Sequence, residues 1–189
     1  MNPMDAAAFE ARYRADPDPW GYLHREYERE KYAATLDACG PGPFTSALEL
    51  AGSIGVFSAL LAPRARRLTT IDVAPTAVAQ AQERLAGQPH VDVRLGELPG
   101  DLPAGPFDLV VASEILYYLS PAALAGTLAG LREAMAPRGR LVAVHWRPSG
   151  PDRWSDADHV HRTLTRQPWL QAIRRGGTDE YRLDVLERR

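Results

Sequence analysis

Glu49 and Asp72 are the acids on which the chemistry of this chain turns, because each closes an apolar run and they stand 23 positions apart. Ala47-Leu-Glu-Leu50 reads as a strand. Ala51, Gly52, Ser53 and Gly55 after it are small enough for the backbone to turn sharply and approach a ligand. Thr69-Thr-Ile71 then leads to Asp72 and Val73, where a second parallel strand ends. A carboxylate there accepts hydrogen bonds from both hydroxyls of a ribose, so the pattern predicts a nucleoside-binding crevice. It is not the Gly-x-Gly-x-x-Gly of dinucleotide sites, which needs three glycines at set offsets. Ser113, Glu114 and Tyr117 follow another apolar strand, Phe107–Ala112, at its carboxyl end, where open α/β sheets bind ligands. His145 ends a fifth strand beside Trp146. It is the best histidine candidate for accepting a proton from a substrate, the alternative being a hydrogen-bonded structural residue.

The elements that must hold these residues follow from the hydrophobic periods. Strands are predicted over about 45–50, 67–72, 91–95, 107–112 and 140–146. Helices fall over about 5–15, 22–38, 55–62, 75–86 and 121–136, two of them opening on Pro75 and Pro121. This alternation calls for a parallel sheet. Ser155 to Thr165 fits a further helix, and 169–175 and 181–186 fit two strands joined by Gly176-Gly177. The expectation is one domain over 1–189, with 1–43 a helical lid segment and 44–189 an α/β core. At 45% apolar and 24% charged residues the composition is that of an ordinary globular protein. A net charge of −2 gives no basic footprint for nucleic acid. No run approaches the ~20 apolar residues of a membrane span, and the single cysteine, Cys39, has no internal partner. A cytoplasmic protein is expected, with its oligomeric state open. His159 and His161, with Asp156 and Asp158, contain metal-ligating types, but the i, i+2 spacing of the histidines does not share one helical face. No metal is expected.

The turn at Glu49, Ala51, Ser53 and Gly55 resembles motif I of the S-adenosylmethionine-dependent methyltransferases, acid-x-Gly-x-Gly-x-Gly, with only the last glycine retained. Ala51 disfavours positive φ, so a tighter or shifted turn and weaker cofactor binding are expected. Further landmarks recur in that family's order. Gly96-Glu97-Leu98 matches the place of the acid that accepts from the adenine amino group, Ser113-Glu-Ile-Leu-Tyr-Tyr-Leu119 resembles motif IV, and Leu131–Val144 resembles the helix, proline-glycine turn and fifth strand. The resemblance implies a Rossmann-like seven-stranded sheet ordered 3-2-1-4-5-7-6 with the last strand antiparallel. It implies S-adenosylmethionine as cofactor, S-adenosylhomocysteine as product, and Glu49, Ala51, Gly52, Ser53, Gly55, Asp72, Val73, Glu97, Leu98 and Ser113 as its binding residues.

Phe9-Glu-Ala-Arg-Tyr13, Asp16-Pro-Asp-Pro-Trp-Gly-Tyr22 and Glu26-Tyr-Glu-Arg-Glu-Lys-Tyr32 resemble the opening segment of the nodulation protein S-like group, as do Arg147-Pro148, Asp158–His161 and Glu180–Leu186. That resemblance implies N-methylation of a small polar or amino-sugar acceptor. In that setting Glu114, Tyr117 and His145 are the candidate catalytic residues, and Trp20, Tyr27, Tyr32 and Trp146 the candidate acceptor contacts. Trp20 either stacks on a sugar ring or packs the amino-terminal segment onto the core. Tyr27, Lys31 and Tyr32 either reach the ligands or form a solvated helix face, while Tyr118 reads as core. Two rivals are a non-catalytic nucleoside-binding protein and a nicotinamide-dependent oxidoreductase.

Overall fold

A computed structural model describes residues 3–148 and 150–189. Its centre is a seven-stranded sheet ordered β3-β2-β1-β4-β5-β7-β6, the order implied above. The strands are β1 (Ala47–Leu50), β2 (Leu68–Asp72), β3 (Val91–Leu95), β4 (Phe107–Ser113), β5 (Met135–Trp146), β6 (Leu170–Gly177) and β7 (Tyr181–Arg188). The first five run parallel, and β7 is antiparallel to both β5 and β6. Only an antiparallel hairpin can follow a turn as short as the one after Gly177, whose φ of 119° suits glycine.

Helices cover both faces, so the central strands are apolar on both sides. The helices are α1 (Ala6–Ala15), α2 (Glu26–Cys39), α3 (Val56–Leu61), α4 (Pro75–Leu85), α5 (Pro121–Ala134) and α6 (Ala157–Thr165). Alternation within β4 shows the division: Val110 and Ala112 pack with Leu128 and Leu131 of α5, whereas Leu109 and Val111 pack with Phe57 and Leu61 of α3. Starts are set by side chains. The Ser120 hydroxyl accepts the Ala123 N–H at the head of α5, and Asp156 accepts the His159 N–H at the head of α6.

Three boundaries differ from expectation. Gly176 and Gly177, expected to join the last two strands, instead end β6 and pair with Leu183 and Arg182, which leaves 178–180 as the turn. α2 begins at Glu26 rather than 22, because the Asp18 carboxylate accepts the N–H groups of Tyr22 and Leu23 at 2.8 and 3.0 Å and closes a separate turn. β5 begins at Met135, where 121–136 was expected to be helix. Pro137 pushes the preceding residue into extended backbone, and the register shift opposite Phe107–Leu109 absorbs the residues around Gly139 as a bulge. No helix among the described residues is long and apolar enough to cross a membrane.

Candidate functional site

The strand order reverses between β1 and β4, and a cavity of about 540 Å³ opens at their carboxyl ends. Its first wall is the turn after β1. Ala51 and Ser53 take φ of 57° and 52°, and Gly55 takes 78°. The turn therefore keeps its left-handed residues in place of being shifted, with strain of about 1 kcal/mol or more at each non-glycine position. Gly52 is required for packing, since a Cβ there would meet the Thr70 hydroxyl at 1.8 Å. Gly55 lets α3 approach α4, a Cβ there meeting Ala81 at 3.1 Å.

Asp72, at the end of β2, faces this turn. Its Oδ2 accepts the Ser53 N–H at 2.8 Å and its Oδ1 the Ala74 N–H at 3.0 Å. Asp72 lines the cavity, and an ionised carboxylate has acceptor capacity beyond these two bonds. Burial pushes its pKa up, opposed by the backbone bonds from Ala74 and Ser53. Val73, Glu97, Leu98 and Ser113 also line the cavity, with Ala51 and Ser53. Glu49, Gly52 and Gly55 do not. Glu49 is 3% exposed and its Oε2 accepts the Ser58 hydroxyl of α3, so it braces the turn from behind. Burial pushes the Glu49 carboxyl up to about 7.

The opposite wall centres on Glu114, which follows β4 at a φ of 58°. Its Oε1 accepts from the Lys31 ammonium at 2.9 Å, and its Oε2 accepts the Trp146 N–H at 3.0 Å and the Tyr117 hydroxyl. Burial, then the nearby Glu114 charge, raises the Tyr117 phenol well above its ordinary pKa, so it is the proton donor of that pair. Lys31 is 2% exposed rather than solvated. It also lies 3.0 Å from Glu28 and 5.0 Å from the Tyr27 ring centroid, because i, i+3 and i, i+4 neighbours share a helix face. Burial raises the Glu28 pKa, with Lys31 opposing.

Aromatic groups complete the enclosure. Trp20 both packs and lines the cavity, with ring centroids 5.3 Å from Tyr13 and 5.9 Å from Tyr22. The Arg153 guanidinium sits 4.1 Å from the Tyr117 ring and 5.0 Å from Trp146. Tyr27, Trp146 and Tyr118 line the cavity, the last while also packing against the core as expected. Tyr32 instead packs on Phe57 at 5.4 Å, outside the lining. His145 is also outside. It is fully buried, with Nε2 against the Leu116 N–H and Nδ1 against His161, so neither nitrogen faces the cavity. Sequence reasoning missed Tyr13, Glu28 and Arg153. For Glu28 the spacing to Lys31 was a usable signal; Tyr13 and Arg153 meet their partners only through the fold.

The cavity is lined by seven carboxylates and four basic groups. An acidic, aromatic chamber of this kind suits a cationic ligand. The chain matches the family model "Nodulation protein S (NodS)" over residues 7–164. It is 35% identical over 133 residues to nodulation protein S of Sinorhizobium fredii, covering 69% of this chain and 62% of that protein. The Rhizobium tropici counterpart is 33% identical over 76% of this chain and 61% of its own length. The chain thus spans about three fifths of these relatives. The N-methyltransferase NodS of Bradyrhizobium japonicum, solved with S-adenosylhomocysteine, superposes with a TM-score of 0.86 at 28% identity, over 98% of this chain and 99% of that one. With this fold, this turn and a family match across most of its length, the chain belongs to the nodulation protein S family of the S-adenosylmethionine-dependent methyltransferases.

Proposed function

We propose that this chain moves a methyl group from S-adenosylmethionine to the amine nitrogen of a small polar acceptor, in keeping with an amino sugar. The carrying observation is the Glu114 carboxylate. An ionised carboxylate offers about four lone-pair sites, and Lys31, Tyr117 and the Trp146 N–H take three of them. One site on Oε1 is left for an acceptor N–H.

The residues present fit the methyl donor. Asp72 would accept from the ribose hydroxyls, Ala51 and Ser53 are small enough for close approach of their backbone, and Glu97 and Leu98 would take the adenine edge; that all five line the cavity supports this reading. When bound, S-adenosylmethionine supplies a sulfonium-held methyl carbon open to in-line displacement. The protein then has to hold the amine about 3–3.5 Å from that carbon, aligned and free of its extra proton. Glu114 accepts the proton at Oε1, Tyr117 and Lys31 keep the carboxylate oriented, and the carboxylates around the cavity attract the cationic amine. The Tyr27 hydroxyl is buried without a partner among the described residues, which leaves it for a polar group of the acceptor. The segment from Met4 to Lys31, which contributes to the cavity wall, would serve as a lid over both ligands. S-adenosylhomocysteine bound to the Bradyrhizobium protein supports the donor, and that protein's N-methyltransferase description supports the amine.

The test is a panel of amino sugars, other amines, carboxylates, phenols and RNA with labelled methyl donor at several pH values. Transfer is expected to amines, with kcat/KM rising as the amine loses its proton. Glu114→Gln should lower kcat by about a hundredfold while donor affinity stays within about twofold. Transfer confined to oxygen or RNA would overturn the acceptor assignment.

A further inference from the structure

Behind the acceptor wall lies a group of ionisable side chains that the reaction does not touch. His145 of β5, His161 of α6 and Asp184 of β7 are each 0% exposed and form one continuous line. The Leu116 N–H meets His145 Nε2 at 3.1 Å, His145 Nδ1 meets His161 Nε2 at 3.1 Å, and His161 Nδ1 meets Asp184 Oδ2 at 2.9 Å. A backbone N–H can only donate, so His145 Nε2 must accept. Its proton therefore sits on Nδ1 and points at His161 Nε2, which must accept in turn. His161 then carries its proton on Nδ1 and donates to the carboxylate. One backbone group fixes the direction of every bond in the line.

Leu116 opens the short 3₁₀ turn Leu116–Tyr118, and its N–H has no partner within that turn. The turn carries Tyr117, whose hydroxyl donates to Glu114 and whose carbonyl accepts the N–H groups of Trp154 and Ser155. Next to His145, the Trp146 N–H donates to the same Glu114 carboxylate. The line thus reaches the acceptor site from both the strand side and the turn side.

We propose that Asp184, His161 and His145 form a directional hydrogen-bond chain that positions the Leu116–Tyr118 turn, and through it the Glu114–Tyr117 pair, for the methyl acceptor. All three are positioning residues. The catalytic consequence rests on the function proposed above for Glu114, whereas the direction of the chain does not.

The test has an arm that needs no acceptor. In the intact protein, nitrogen-15 spectra should show His145 and His161 both as Nδ1–H tautomers, with a slowly exchanging Leu116 amide and Tyr117 hydroxyl. His145→Phe, which keeps the ring volume and removes the acceptor, should speed both exchanges and lower kcat at least tenfold with S-adenosylhomocysteine affinity within twofold. His145→Gln can accept from Leu116 and donate to His161. It should restore slow exchange and bring kcat to within about threefold of the parent. A proton on His145 Nε2, or a His145→Phe protein with unchanged exchange and kcat, would overturn the proposal. Should His145→Phe fail to fold, the tautomers of the parent and the Gln rescue decide it. Expected tautomers and exchange in a protein inert toward every amine would support the chain and overturn only the acceptor reading.

Discussion

At the scale of single residues, the proposed ribose contact is Asp72, which ends β2 at the cavity and is held by the N–H groups of Ser53 and Ala74. Charge-assisted hydrogen bonds to ribose hydroxyls contribute about 1.5–3 kcal/mol, so Asp72→Ala should weaken S-adenosylhomocysteine binding by about tenfold or more. Calorimetry on the folded variant reads this directly, and unchanged affinity would remove Asp72 from the site. Asp72 stands out in the sequence because an acid after an apolar run has few structural uses. Glu49 looks the same in sequence and behaves differently. The turn carries its own backbone across the front of Glu49, and Ser58 holds the carboxylate behind it.

Among the elements, α1 has the least local reason to be where it is. Its periodicity is weak, with Tyr13 its one buried residue, and specific bonds secure it. Tyr13 shares a 2.5 Å hydrogen bond with the Ser53 hydroxyl, and the Glu10 carboxylate accepts from the N–H and hydroxyl of Thr76 at 2.9 and 2.7 Å. The serine that departs from the glycine pattern is thereby the docking point for the amino-terminal segment. Tyr13→Phe should lower unfolding stability by about 1 kcal/mol and accelerate amide exchange in α1. Unchanged exchange would mean that the Glu10–Thr76 contact holds the helix alone. The other elements follow their sequence patterns, except where Asp18 and Pro137 cut them short and where β6 runs on through Gly177.

For the whole molecule, the buried acid Glu49 ties stability to pH. Its carboxyl is pushed up from an ordinary 4.5 to about 7 by burial, so the folded protein holds a proton there that the unfolded chain has lost. The stability contributed is complete below about pH 4.5 and is lost as pH rises through about 7. Glu49→Gln keeps an acceptor for Ser58 without the charge. It should match the parent near pH 4.5 and exceed it by about 3 kcal/mol at pH 8, from the linkage of about 1.4 kcal/mol per unit. Parallel denaturation curves of the two proteins across this range would refute the linkage.

Local pattern alone determined the alternation of strands and helices, the acids at the ends of β1 and β2, and the carboxylate and phenol after β4, because neighbours within one element follow fixed periods. The resemblance to the methyltransferases supplied the strand order, which the sheet then displayed. Side-chain partners across the fold have no such period. Lys31 reaches Glu114 from 83 positions away and Tyr13 reaches Ser53 from 40, and neither pairing is written in the residues around it. Tyr32 and Lys31 are adjacent on α2, yet one packs on Phe57 and the other enters the cavity, since successive helical residues point about 100° apart. His145 ends its strand as a catalytic base would. Only the packing of α6 and β7 against β5 turned both its nitrogens away from the substrate.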